Sequence, residues 1–153
     1  MPAKKKAASV AKKTVPVKCT PVCDVDSPAR QPFQMAVEIN LPPGTGGQNG
    51  FVPVPKGKRL VIEYASGEGF LPAGQKCLFS VITSLVGQAT GTRHYLDSDA
   101  LGKFGAPDYF RAGQVVRLYA DAGTTVMLRA DRDLATGDGL VRMSVSGHLI
   151  DVP

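Results

Sequence analysis

The chain has 153 residues, with 18 Lys and Arg against 13 Asp and Glu and a formal net charge of +5. Residues 1–18 hold six lysines and no acid, which leaves 12 basic against 13 acidic residues over 19–153. One domain of ordinary size fits this length, a near-neutral body excludes a broad basic nucleic-acid face on the folded part, and no apolar run approaches the roughly 18 residues of a membrane-spanning helix.

The chain opens on MPAKKKAASVAKKTVPVK. The apolar stretch AASVA is cut off by Lys12 and Lys13, too early for the 7–15 residue apolar core of a secretory signal. A cytoplasmic location, or one inside an assembled particle, is therefore expected. Lysines spaced by Ala, Ser, Thr and Pro bury too little apolar surface to fold alone. Residues 1–32 read as a flexible basic arm followed by a Pro-rich linker, and residues 33–153 as the folded domain. Lys4, Lys5, Lys6, Lys12, Lys13 and Lys18 are the candidate contacts to a polyanion, which is a nucleic acid or an acidic protein surface. Such an arm neutralises about six phosphates. Cys19, Cys23 and Cys77 lack the paired spacing of a zinc site, so no metal or other cofactor is expected. Cys77 sits in an apolar run and reads as a small core residue.

From Phe33 the pattern changes. In FQMAVEINL, Phe33, Met35, Val37, Ile39 and Leu41 share one face, which predicts a half-buried strand. PPGTGGQNG at 42–50 reads as a long Gly-rich loop. FVPVP at 51–55 reads as an edge or connection, because its prolines cannot donate to a ladder. In KGKRLVIEYASG, Leu60, Ile62 and Tyr64 are expected on one face. QKCLFSVITSL at 75–85 is apolar on both faces, as in a central strand. A short strand is expected near Thr92–Leu96, then mixed turn-rich sequence over 97–110. QVVRLYAD at 114–121 and TTVMLRAD at 124–131 read as two strands of a tight hairpin through Asp121–Ala122–Gly123. DRDLATGDG at 131–139 reads as a turn. It matches a calcium loop only in part, since Ala135 takes a ligand position and no Glu closes it. LVRMSVSGHLIDV ends the chain as a long strand, with Val141, Met143 and Val145 on one face and a bulge or bend at Gly147.

Seven to nine strands, 17 Gly and 12 Pro clustered between them, and no extended helix predict an all-β fold. The expected arrangement is an antiparallel two-sheet sandwich, jelly-roll-like rather than immunoglobulin-like, since no Cys…Trp…Cys pattern occurs. PKGKRLVIEYASG, VVRLYADAGTTV and SVSGHLIDVP resemble small uncharacterised bacterial β-sandwich proteins with a PAGKRLVIEY-like strand and a terminal SGxLxDxP. The resemblance spans roughly residues 50–153. It implies the sandwich fold and carries no activity with it.

No catalytic constellation emerges. His94 lies near Asp97 and Asp99 in sequence but at a strand end. Ser144, His148 and Asp151 can be written as a triple without the G-x-S-x-G elbow. The chain is therefore expected to be no enzyme. The leading expectation is a structural or assembly protein, as in capsid or virion-associated proteins. Its body would make homo-oligomer contacts and its arm would reach a polyanion. The alternative is a carbohydrate- or peptide-binding module. In that case Arg93, Tyr95, Tyr109 and Arg111 form the ligand surface, since loop aromatics beside arginines suit stacking.

Overall fold

The computed structural model describes residues 30–153, and no helix occurs among them. Nine strands form: β1 (Gln31–Leu41), β2 (Gly47–Pro53), β3 (Lys58–Leu71), β4 (Cys77–Thr83), β5 (Thr92–Leu96), β6 (Ser98–Lys103), β7 (Asp108–Ala120), β8 (Thr125–Arg132) and β9 (Gly139–Asp151). They build two antiparallel sheets, ordered β1-β9-β3-β7-β6 and β2-β8-β4-β5. The pairing is nested. The first strand pairs with the last, the second with the eighth, the third with the seventh and the fourth with the fifth. The chain is thus one long hairpin rolled up so that its two arms step together between the sheets.

The alternation of β1 holds. Ile39 and Leu41 are buried, and Phe33, Met35 and Val37 pack against the same core. Strand β4 lies inside its sheet between β8 and β5, apolar on both faces as expected. Between the sheets lie Leu60, Ile62, Leu71, Phe79, Val81, Leu128, Val141 and Met143, all essentially inaccessible to solvent. Each such side chain contributes roughly 1.5–3 kcal/mol by leaving water.

Four local expectations are corrected. Gly47–Gly50 belong to β2 rather than to a loop. These glycines serve close approach: a Cβ at Gly47 would sit 2.0 Å from Asp131 Oδ1, and one at Gly50 would sit 2.5 Å from Val37 Cγ2. Residues 98–103 form β6, and β7 begins at Asp108, so the turn-rich stretch is largely strand. The Asp121–Gly123 turn is no hairpin within a sheet, because β7 and β8 belong to different sheets. Asp121 fixes this crossing by accepting hydrogen bonds from Val86 N at 2.8 Å and Arg59 Nε at 2.8 Å. The Val86 amide and then Arg59 hold its carboxyl below the usual carboxylate range. Finally, Tyr64 does not share the face of Leu60 and Ile62. The register of β3 shifts between Ile62 and Tyr64, and Glu63 is the extra residue opposite β9. Glu63 and Tyr64 therefore both face outward, and Ala65 returns to the core. Gly147 lies opposite this bulge, where a Cβ would stand 2.0 Å from the Val61 carbonyl oxygen.

One end of the sandwich is organised by Arg132, which is only 6% exposed. Its Nε donates to Thr45 O at 2.9 Å and its Nη2 to Pro42 O at 2.8 Å. Its Nη1 reaches Gly137 O at 3.0 Å, Thr136 O at 3.3 Å and Gln75 Oε1 at 3.5 Å. Its backbone N–H donates to Gly46 O at 2.7 Å. Replacing the guanidinium by an apolar side chain removes five hydrogen bonds from a charged donor to buried and part-buried oxygens, each contributing about 1.5–3 kcal/mol. Arg132→Met is expected to lower stability by about 3 kcal/mol or more in urea unfolding. Arg132→Lys should recover only part of that, because an ammonium cannot span the fork.

Cys77 is buried, as the sequence suggested. Burial, and secondarily the charge of Asp131, push its thiol up to about 12 from an ordinary 9.0. Native protein at mildly alkaline pH should resist alkylation at Cys77 and react there once unfolded, as read by peptide mass spectrometry. The unfolded thiol ionises first, so stability should fall as pH rises above about 9.

Candidate functional site

The two sheets present different outer faces. On the five-stranded sheet, the register aligns Glu38, Arg142, Glu68, Arg111 and Asp99 in one row across β1, β9, β3, β7 and β6. The charges alternate along it. Arg142 donates to Glu38 at 3.2 Å and to Glu68 at 3.4 Å. Tyr109 OH donates to the other Glu68 oxygen at 3.3 Å. Desolvation, followed by the Glu68 charge, raises the Tyr109 phenol above its ordinary value. The bonds to Glu38 and Glu68 raise Arg142 further.

The neighbouring row is Ala36, Ser144, Ser66 and Gly113. All four are small, and the two serine hydroxyls meet at 2.7 Å. The next row carries Tyr64. Its hydroxyl lies 2.6 Å from where a Gly113 Cβ would stand, so the ring extends across β7 along the sheet surface. The result is an open channel of about 710 Å³, with small residues as its floor and a charged row and Tyr64 as its sides. Beyond the charged row Tyr109 packs on Phe70, with centroids 4.9 Å apart, and Phe104 closes the trio while remaining 69% exposed.

The outer face of the four-stranded sheet carries exposed Phe51, Leu78 and Tyr95. Phe51, Met127 and Ile82 stand in register, and Leu78 lies one strand position beyond the next row. Phe51 is 57% exposed. Arg129 crosses this face to Asp131 at 2.6 Å and Asn49 at 3.2 Å. Arg93 lies 5.8 Å from the Tyr95 ring centroid and 3.7 Å from Asp131.

The four residues proposed as one ligand surface are thus divided. Tyr109 and Arg111 line the channel, whereas Arg93 and Tyr95 lie on β5 of the other sheet. Lys4, Lys5, Lys6, Lys12, Lys13 and Lys18 lie outside the described residues, as do Cys19 and Cys23. Ser144, His148 and Asp151 go to separate partners, Ser66, Glu63 and Lys58. His94 lies 3.5 Å from the Thr83 hydroxyl, in the four-stranded sheet. In the 131–139 loop, Asp131 pairs with Arg129, while Asp133 accepts from Lys76 N at 2.7 Å. Among the described residues no group of three or more His, Cys, Asp or Glu could hold a metal ion. No helix among the described residues is long and apolar enough to cross a membrane.

Sequence reasoning missed Tyr64, Ser66, Glu68, Arg142 and Ser144 as a set. Only Arg142 and Ser144 were legible as facing away from the core, and only the pairing register and the β3 bulge put the five side by side. No family model, curated protein or solved structure matches the chain.

Glu68→Gln should lower the pH at which Tyr109 ionises, because it removes a negative charge facing the phenol. The shift should be partial, since desolvation is the larger cause. Tyrosinate absorbance, with Tyr109→Phe to identify the group, measures it.

Proposed function

We propose that the chain is a non-enzymatic structural or assembly protein built on a jelly-roll body. Nested pairing of first with last strand supports the jelly-roll reading, because that fold is a single hairpin wrapped into two sheets. The body makes subunit contacts through the outer face of the four-stranded sheet. The observation that carries this is the exposed Phe51 in register with half-buried Met127, with exposed Leu78 two rows along the same face and the Arg129–Tyr95 row between them. Aromatic residues, Met and Arg are the residue types enriched where protein interfaces form, and isolated monomers avoid large apolar patches. The lysine arm contacts a polyanion, because it carries all of the chain's net positive charge while the body is near neutral. A neutral body that associates and a cationic leader that holds a polyanion is the division of labour of capsid-like proteins. The analogy is one of plan.

Light scattering coupled to size exclusion tests the first half. The purified chain is expected as an oligomer, and Phe51→Asp as a folded monomer. A wild-type monomer at high concentration would overturn the reading. For the arm, nucleic-acid affinity of the full chain should fall with salt at a log–log slope near −0.9 per phosphate engaged. Replacing the six lysines by Gln should flatten that slope. Equal slopes would remove the arm from the contact.

A further inference from the structure

The geometry points to the channel on the five-stranded sheet as a binding site for a neutral linear oligosaccharide. This inference is independent of subunit assembly, since the channel lies on the opposite face of the sandwich from Phe51.

Four features carry it. First, the cavity volume of about 710 Å³ falls within the range of small-molecule sites. Second, the channel runs across the strands. Five strands at ~4.8 Å spacing give it a length of roughly 19 Å, long enough for several sugar rings in line. A peptide adding itself to a sheet needs a free strand edge and lies parallel to the strands. A transverse channel on a sheet face offers neither, because the backbone groups beneath it are already committed to the ladder.

Third, the wall alternates in charge: Glu38, Arg142, Glu68, Arg111, Asp99. An alternating row has little net field, so it attracts neither a polyanion nor a polycation. It does present acceptors and donors by turns, one per strand. A polyhydroxyl chain carries both on every unit. The existing pairs hold the side chains in place before any ligand arrives, which lowers the ordering cost of binding. Among the described residues the Arg111 guanidinium donates to no other side chain, so its N–H groups remain for a ligand.

Fourth, the aromatic surfaces are placed for stacking on the apolar face of a sugar ring. Tyr64 lies along the sheet over Gly113 and is 43% exposed. The Phe70–Phe104–Tyr109 trio stands one row beyond the charged wall, and Tyr109 of it reaches the channel lining. Beside Tyr64 the floor of Ala36, Ser144 and Ser66 lets a ring approach the sheet closely.

The test uses the full chain on a panel of immobilised neutral hexasaccharides (glucan, xylan and mannan types) alongside acidic glycans, followed by calorimetric titration of the soluble form of any hit. The expected result is binding to at least one neutral member that changes little with salt. Tyr64→Ala and Arg111→Ala should each weaken it at least about tenfold, while thermal melting stays close to wild type. Tyr64→Phe keeps the ring and should retain most of the affinity. Phe51→Asp should bind like wild type even where it alters the oligomeric state, which separates this site from the assembly face. No binding across the neutral panel overturns the proposal. So does binding confined to acidic glycans and lost with salt, or binding that survives Tyr64→Ala and Arg111→Ala together.

Discussion

A single buried guanidinium sets the geometry of one end of this sandwich. Among the described residues Arg132 has no carboxylate partner and is held instead by carbonyl oxygens from three separate loops: Pro42 and Thr45, Gln75, and Thr136 and Gly137. A buried cation without a counter-ion is costly unless its donors are satisfied. Here the planar five-donor fork meets backbone dipoles in several directions at once. The loops gain as much as the arginine does. Each is a crossing between sheets, and each has carbonyls that no ladder can use. Gln75 extends the arrangement by donating to Thr136 O at 2.7 Å.

Because these crossings are fixed, the strands they join hold their register, and register is what makes the outer faces. The charged row on the five-stranded sheet exists only because five residues from distant parts of the sequence fall opposite one another. A slip of one residue in any strand would turn its outward side chains into the core. The rolled-hairpin path also explains why the two faces differ in character. Each strand contributes to one sheet only, so exposed Phe51 of β2 and Leu78 of β4 lie on one side. The charged row of β1, β9, β3, β7 and β6 lies on the other, together with exposed Tyr64 and Val115.

The all-β class, the strand count and most of the core were legible in the sequence, because period-two alternation is a local signal. Residues 33–41 and 141–145 needed no partner to be read. Glycine misled in two directions. Gly47 and Gly50 look like loop residues, yet they mark places where another element comes too near for a Cβ. Gly113 lies just before the strand read from Gln114, yet it is inside β7, emptied so that Tyr64 can lie over it. The turn at Asp121 was legible as a turn, but whether it joins neighbours or changes sheet depends on pairings many residues away. The same dependence hid the channel. Arg142 and Ser144 read as outward residues, Glu68 fell between two glycines that read as a turn, and nothing local aligns the three.

The extra residue at Glu63 has a wider effect than its size suggests. It reverses the inside–outside parity of β3 halfway along. On one side of it, Val61 and His148 are buried on the outer surface, with Glu63 Oε1 lying 3.4 Å from the His148 ring. On the other side the same strand offers Tyr64, Ser66 and Glu68 to solvent. One inserted position therefore zones a continuous sheet into a closed half and a receptive half. Homologous chains could lengthen, shift or erase the receptive half by moving that insertion, while leaving the inner packing of both sheets intact.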